Sequence, residues 1–207
     1  MSEPCTKCCL SETRKNIVIG DGNEHAQIMF IGEAPGYYED LEGRPFVGAA
    51  GKFLNELLSE AGLKRTDVYI TNILKCRPPN NREPLPDEIE KCTPCLEEQI
   101  KSIKPKIIIT LGNYATGFIF AKAGLQFYGI TRHHGKPHEV SLLGMNITVY
   151  PTFHPASALY HGEYRTLLIE DFKKLKGVAD SNFPSSEKLA SRSSSKQEQL
   201  KFEMHRP

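Results

Sequence analysis

The chain of 207 residues has no tryptophan, no long apolar run and no excess of charge of either sign. No apolar stretch approaches the roughly 20 residues that a membrane-spanning helix needs, so a spanning protein is excluded and a cytoplasmic one is expected. Lys and Arg number 26 against 25 Asp and Glu, for a net charge of +1. The whole chain is therefore no polycation, and any affinity for nucleic acid must come from a local patch. Neither G-x-G-x-x-G nor a Walker A pattern occurs, which argues against a nucleotide-binding α/β enzyme. Six cysteines could form three disulfides, but a C-x-x-C spacing without a signal peptide is unlike a secreted disulfide framework. The missing tryptophan by itself excludes nothing.

Four of the cysteines carry most of the information. Cys5 and Cys8 form C-T-K-C, and Cys76 and Cys92 lie sixteen residues apart. A close pair and two distant thiols read as one four-thiolate site, which suits zinc or an iron–sulfur cluster, both thiophilic and both four-liganded. Cys76 falls within N-I-L-K-C-R-P-P-N-N-R, a run rich in side chains suited to phosphates and bases. Cys9 and Cys95 are spares, expected to be small buried hydrophobes.

Short apolar runs at 28–32, 68–74, 107–112 and 147–153 have the profile of buried parallel strands. Between them lie helical patterns: Phe53, Leu54, Leu57, Leu58 and Ala61 at helical spacing, a helix opened by Pro86-Asp87-Glu88 and running to about residue 103, and two more over 114–123 and 164–176. Alternation of this kind predicts a three-layer α/β/α sandwich around a mostly parallel four-stranded sheet. One domain is expected over residues 1–176. Residues 177–207 are rich in Ser, Lys, Glu and Gln, and read as a flexible polar tail that cannot bury enough surface to offset its ordering entropy.

Ligands of such sheets bind beyond the carboxyl ends of the strands. The first run continues into G-E-A-P-G-Y-Y-E-D and then G-R-P-F-V-G, the second ends at Asn72, and the fourth leads into T-F-H-P-A-S-A-L. Three strand ends thus bring Glu33, Asn72 and His154 to one edge. Each alone reads as a turn or cap; three together read as a site.

These segments, in this order over roughly residues 5–176, resemble family 4 uracil-DNA glycosylases, the iron–sulfur-containing type of thermophilic archaea and bacteria. Glu33 separates the chain from the sister family 5, which typically has an apolar residue there. The resemblance implies a monofunctional glycosylase that takes uracil out of the DNA stack and leaves an abasic site, with a [4Fe–4S] cluster on Cys5, Cys8, Cys76 and Cys92; spacing alone also allows zinc. It implies uracil-containing DNA as partner and a pocket built from Gly32, Ala34, Glu39, Phe46, Asn72 and His154. Phe46 would stack on the base. The Asn72 amide would match N3–H and O4 of uracil and mismatch cytosine. His154 would stabilise charge developing on uracil O2. Glu39 would wall the pocket near C5 against a thymine methyl. Glu33 would either orient the attacking water or hold the loop. Leu159 is the expected wedge, with Ala158 allowed by position but too small. Arg77, Asn81, Arg82, Arg132, Lys136 and Arg165 are phosphate candidates. Lys75 reads as a phosphate contact or strand end rather than a Schiff base, and His133 and His134 as backbone or surface contacts. A monomer is expected, and residues 197–202 faintly resemble a sliding-clamp-binding peptide. The rival reading is a non-catalytic, zinc-stabilised nucleic-acid-binding module.

Overall fold

A computed structural model describes residues 5–182. In chain order the elements are α1 (Leu10–Thr13), β1 (Asp21–Gly22), β2 (Ile28–Gly32), α2 (Tyr37–Glu42), α3 (Ala49–Glu60), β3 (Tyr69–Asn72), α4 (Pro86–Ile103), β4 (Ile107–Leu111), α5 (Gly112–Lys122), α6 (Ile130–His133), β5 (His138–Leu142), β6 (Met145–Thr152) and α7 (Gly162–Asn182). Short 3-10 turns occupy Arg65–Asp67, Pro79–Asn81 and Pro155–Leu159.

The sheet order is β1-β3-β2-β4-β6-β5. Its four central strands are mutually parallel and are the four apolar runs. Alternate side chains of a strand face opposite sides, and both sides are covered. Ile28 and Phe30 of β2, with Ile107, Ile109 and Leu111 of β4, pack against Phe53, Leu54 and Leu57 of α3 and Leu168 and Phe172 of α7. Met29, Ile31 and Ile108 face the other way, onto Leu96 and Ile100 of α4 and Ala115 and Ile119 of α5. The chain is therefore the α/β sandwich the alternation predicts.

Two edge strands raise the expected four to six. β5 is antiparallel to β6 and only half-buried, so it lacks the continuous apolar run that marks the centre. Its hairpin turns on Leu143 and Gly144, both at positive φ (51° and 78°). Turns of this sort normally announce themselves by Asn-Gly or Asp-Gly, and the leucine hides it. β1 has two residues and no periodicity to detect. The last helix also passes the expected boundary at residue 176 and ends at Asn182. The rest of the polar tail, including the clamp-like residues 197–202, lies outside the described residues. No helix among the described residues is long and apolar enough to cross a membrane.

Candidate active site

Parallel pairing sets Gly32 of β2 beside Asn72 of β3, and the pairing runs on as Ile73 and Leu74 donate N–H bonds to the carbonyls of Gly32 and Glu33 (both 3.0 Å). β6 pairs with β4 up to Thr152, leaving His154 two residues beyond the sheet. The carboxyl ends of three strands therefore close around one cavity of about 370 Å³, lined among others by Glu33, Ala34, Glu39, Phe46, Asn72 and His154.

Asn72 is 1 % exposed, and its buried Oδ1 has no hydrogen-bond partner among the described residues. Buried polar atoms are nearly always paired, so an unpaired acceptor in a pocket wall signals a ligand donor. Gly32 makes room for it: a β-carbon there would come within 2.3 Å of Asn72 Oδ1 and 2.7 Å of Phe46 Cζ. Gly32→Ala is accordingly expected to push both side chains aside and to lower uracil excision by about 10²-fold, since misplacement by an ångström can cost that much. Single-turnover excision on a uracil duplex, with circular dichroism to confirm folding, checks this; an undiminished rate would mean that neither side chain bears on the base.

Phe46 is buried and sits at φ +52°, a left-handed conformation that costs a residue with a β-carbon roughly 1–2 kcal/mol. Its ring meets that of His154, centroids 5.6 Å apart and planes at 30°. His154 Nδ1 accepts the Ala156 N–H at 3.2 Å, which leaves the ring proton on Nε2. Burial lowers the imidazole pKa to about 4, against a weaker upward pull from Glu39, so the ring is neutral at pH 7. The Ser157 backbone N–H and hydroxyl both bond the His154 carbonyl (2.9 and 2.7 Å) and tighten the turn that presents it.

The two carboxylates divide their work. Glu39 accepts N–H bonds from Gly36 (3.1 Å), Val47 (2.9 Å) and Gly48 (3.0 Å), and so fastens the loop that carries Phe46. Glu33 is half-buried, and no hydrogen bond to its carboxylate occurs among the described residues. Burial first, and Glu83 nearby second, hold it above the usual carboxylate range.

The phosphate candidates separate. Asn81 and Arg82 line the cavity, and Arg77 stands beside them, bonding Asn81 Oδ1 at 2.7 Å and lying over the Tyr37 ring. Arg82 is more committed than expected: its guanidinium grips the fully buried Glu88 through both terminal nitrogens (2.9 and 2.6 Å). Arg132, Lys136 and Arg165 are not in the cavity wall. Arg132 lies over Tyr128, Lys136 donates to the Arg132 carbonyl, and Arg165 pairs with Glu56 over the Phe53 ring. Leu159 is 46 % exposed at the end of the turn that begins beside His154, whereas Ala158 packs on the core.

Three readings are corrected. Lys75 is 3 % exposed and cannot touch a phosphate; its ammonium bonds Thr71 Oγ1 (2.6 Å), the Asn72 carbonyl (2.6 Å) and Gln99 Oε1 (2.7 Å), and burial lowers its pKa to about 8. His134 is not a surface residue but bonds the buried Asp171 carboxylate at 3.0 Å, and His133 packs edge-on to Phe120. Cys9 is exposed, with its thiol 3.5 Å from Glu88, rather than a buried hydrophobe. A charged residue gives no sequence signal of burial by its type, whether it follows an apolar run as Lys75 does or stands among polar neighbours as Glu88 does.

Cys5 and Cys8 both bear electrostatically on the buried Cys76, and Cys76 and Cys95 bear on Cys92. Arg14 Nη1 donates to Cys76 Sγ and the Lys75 backbone N–H to Cys92 Sγ, each at 3.2 Å; such N–H···S bonds are what ligand thiolates take from their surroundings. No group of three or more His, Cys, Asp or Glu among the described residues closes around a single ion.

The fold and this pocket define a class. The sequence pattern of the uracil DNA glycosylase superfamily matches residues 19–176, and the chain belongs to that superfamily. Within it, the similarity is to type-4 uracil-DNA glycosylases. The chain is 53 % identical to that of Saccharolobus solfataricus over 178 residues, covering 86 % of this chain and 82 % of the relative. It is 52 % identical to that of Archaeoglobus fulgidus over 83 % of this chain and 86 % of the relative, and 47 % identical to that of Thermotoga maritima over 83 % and 88 %.

Proposed function

We infer that the protein is a DNA repair glycosylase that excises uracil. The buried, unpartnered Oδ1 of Asn72 in the pocket wall is the observation that carries the reading. An acceptor and a donor side by side on one amide suit N3–H and O4 of uracil, and meet the wrong partners on cytosine. The base stacks on Phe46. As the glycosidic bond breaks, neutral His154 donates from Nε2 to O2 and stabilises the charge collecting there. Glu33 orients the attacking water: its carboxylate is free of loop bonds, and its raised pKa makes it a better proton acceptor than an ordinary carboxylate. Glu39 holds the loop and walls the pocket near C5. Leu159 enters the stack the base has left, and Arg77 and Asn81 flank the mouth. A duplex carrying one uracil, incubated with the protein and then heated in alkali, should be cleaved at that position alone; an intact strand would refute the reading and favour a binding module.

Cys5, Cys8, Cys76 and Cys92 would hold a [4Fe–4S] cluster. What supports the assignment is the donor set: Cys5 and Cys8 bear on Cys76, Cys76 bears on Cys92, and N–H groups of Arg14 and Lys75 are aimed at two of the sulfurs. The bound cluster supplies a structural crosslink. The same joint is made by this chain's own residues: Val18 N–H bonds the Lys75 carbonyl (2.8 Å), and Lys15 and Asn16 N–H bond the buried Asp40 of α2 (2.9 and 3.2 Å). The purified protein is expected to be brown, with about four irons per chain. Cys76→Ser or Cys92→Ser should lose the colour and much of the thermal stability, and Cys9→Ser should keep both. Elemental analysis finding one zinc and no iron would contradict the assignment.

A further inference from the structure

We propose that Arg65 is a positioning residue for base recognition, acting through the backbone of Phe46. The proposal rests on the reading of Phe46 as the stacking ring.

Arg65 lies in the turn that leads into β3, away from the cavity lining, and is largely buried. Its Nη2 donates to the Pro45 carbonyl at 2.5 Å and its Nη1 to the Phe46 carbonyl at 3.3 Å. One planar guanidinium thus grips two consecutive carbonyls in a fixed fork, and its donors also reach Asp21 and Asn55. The grip is itself anchored. Asp21 Oδ2 on β1 takes Nε and Nη2 at 3.4 Å each, and Asn55 Oδ1 on α3 takes Nη1 at 3.3 Å. Arg44 binds the same Asp21 oxygen at 3.0 Å.

Across the loop, Glu39 takes the N–H groups of Val47 and Gly48. Carbonyls are therefore held from one side and N–H groups from the other, and Phe46, flanked by the two sets, is the residue at positive φ. The N-terminal turn of α3 closes the remaining space, since a β-carbon on Gly51 would lie 1.9 Å from the Phe46 carbonyl oxygen. Left-handed backbone at a non-glycine residue persists only where its surroundings over-determine it. Here they are Arg65, Glu39 and α3, and among the described residues Arg65 is the side chain that hydrogen-bonds the Phe46 carbonyl.

Without the grip, Phe46 should relax and its ring should leave the stacking position. Arg65→Ala is expected to weaken binding of free uracil, read as a product-inhibition constant, by roughly tenfold, the scale of one aromatic stacking contact. Single-turnover excision should fall with it, while affinity for undamaged duplex stays within a factor of two or so, because phosphate contacts lie elsewhere. A merely structural role would not give the decisive result, which is a double-mutant cycle with Phe46→Ala. If Arg65 works through the ring, Arg65→Ala adds nothing to uracil binding once the ring is gone. Arg65→Lys and Asp21→Asn, which loosen the grip without emptying the site, should show smaller losses with the same non-additivity, and stand in if Arg65→Ala does not fold. Additive effects, or wild-type uracil binding in all three variants, would overturn the proposal. Failure of the parent protein itself to bind uracil would instead overturn the reading on which it rests.

Discussion

Replacing His154 with alanine should slow single-turnover excision by about 10²–10³-fold, or roughly 2.7–4 kcal/mol, the usual loss when one donor to a developing oxyanion is removed. DNA affinity should hardly move. The reason is in the proton count. The Ala156 N–H occupies Nδ1, so the ring carries its proton on Nε2, and burial, by lowering the pKa from 6.5 to about 4, keeps it neutral. A neutral donor loses little on binding a neutral base and gains most when that base becomes an anion, which places the benefit in the transition state. The pH dependence follows in sign. A depressed imidazole pKa stabilises the fold fully above the ordinary histidine value, and that contribution drains as pH falls from 6.5 to about 4. Near the lower end a second proton goes to Nδ1, the Ala156 bond is lost and the turn loosens. Excision should therefore show no titration of this residue through neutrality and should decline on its account only toward about pH 4. A rate within a few-fold of the parent, or a matching loss of DNA binding, would mean that His154 only shapes the turn that also carries Leu159, and Glu33 would be the residue to test next.

Asn72→Asp should change which base is removed. The amide's donor becomes an acceptor, so the match to uracil O4 is lost, while a protonated carboxyl can satisfy cytosine. The mismatch is buried: Asn72 is 1 % exposed. A site built to hydrogen-bond one edge rejects the wrong edge by as much as 10⁴-fold, because its own buried groups go unpaired. Uracil excision should fall steeply and cytosine excision should become detectable. Competing oligonucleotides with uracil or cytosine at one position measure both; unchanged uracil excision without cytosine activity would remove Asn72 as the reader.

The parallel core was legible because the continuous apolar runs are too short for helices and alternate with helical patterns, and the ends of those runs point to Glu33, Asn72 and His154. The edge strands were not legible, since β5 alternates and its Leu143-Gly144 turn lacks the usual polar residue. Residues that support the site from behind were hidden for a different reason. Glu88 and Arg65 sit in polar stretches that read as surface, Lys75 ends an apolar run, and each is charged; only tertiary structure reveals that Lys75 underlies the Asn72 carbonyl and that Glu88 ties up Arg82. Charge patterns likewise could not separate Arg77, beside the cavity, from Arg165, which pairs with Glu56. Nor does the sequence show how Glu33 and Glu39 differ in their bonds: three backbone N–H groups for Glu39, and no hydrogen bond among the described residues for Glu33.

A crystal structure of the protein with free uracil tests the account most directly. The base should lie against Phe46 with N3 within hydrogen-bond reach, about 2.7–3.2 Å, of Asn72 Oδ1, with O4 toward Asn72 Nδ2 and O2 toward His154 Nε2. Uracil turned over so that O4 meets His154, or seated away from Asn72, would contradict it.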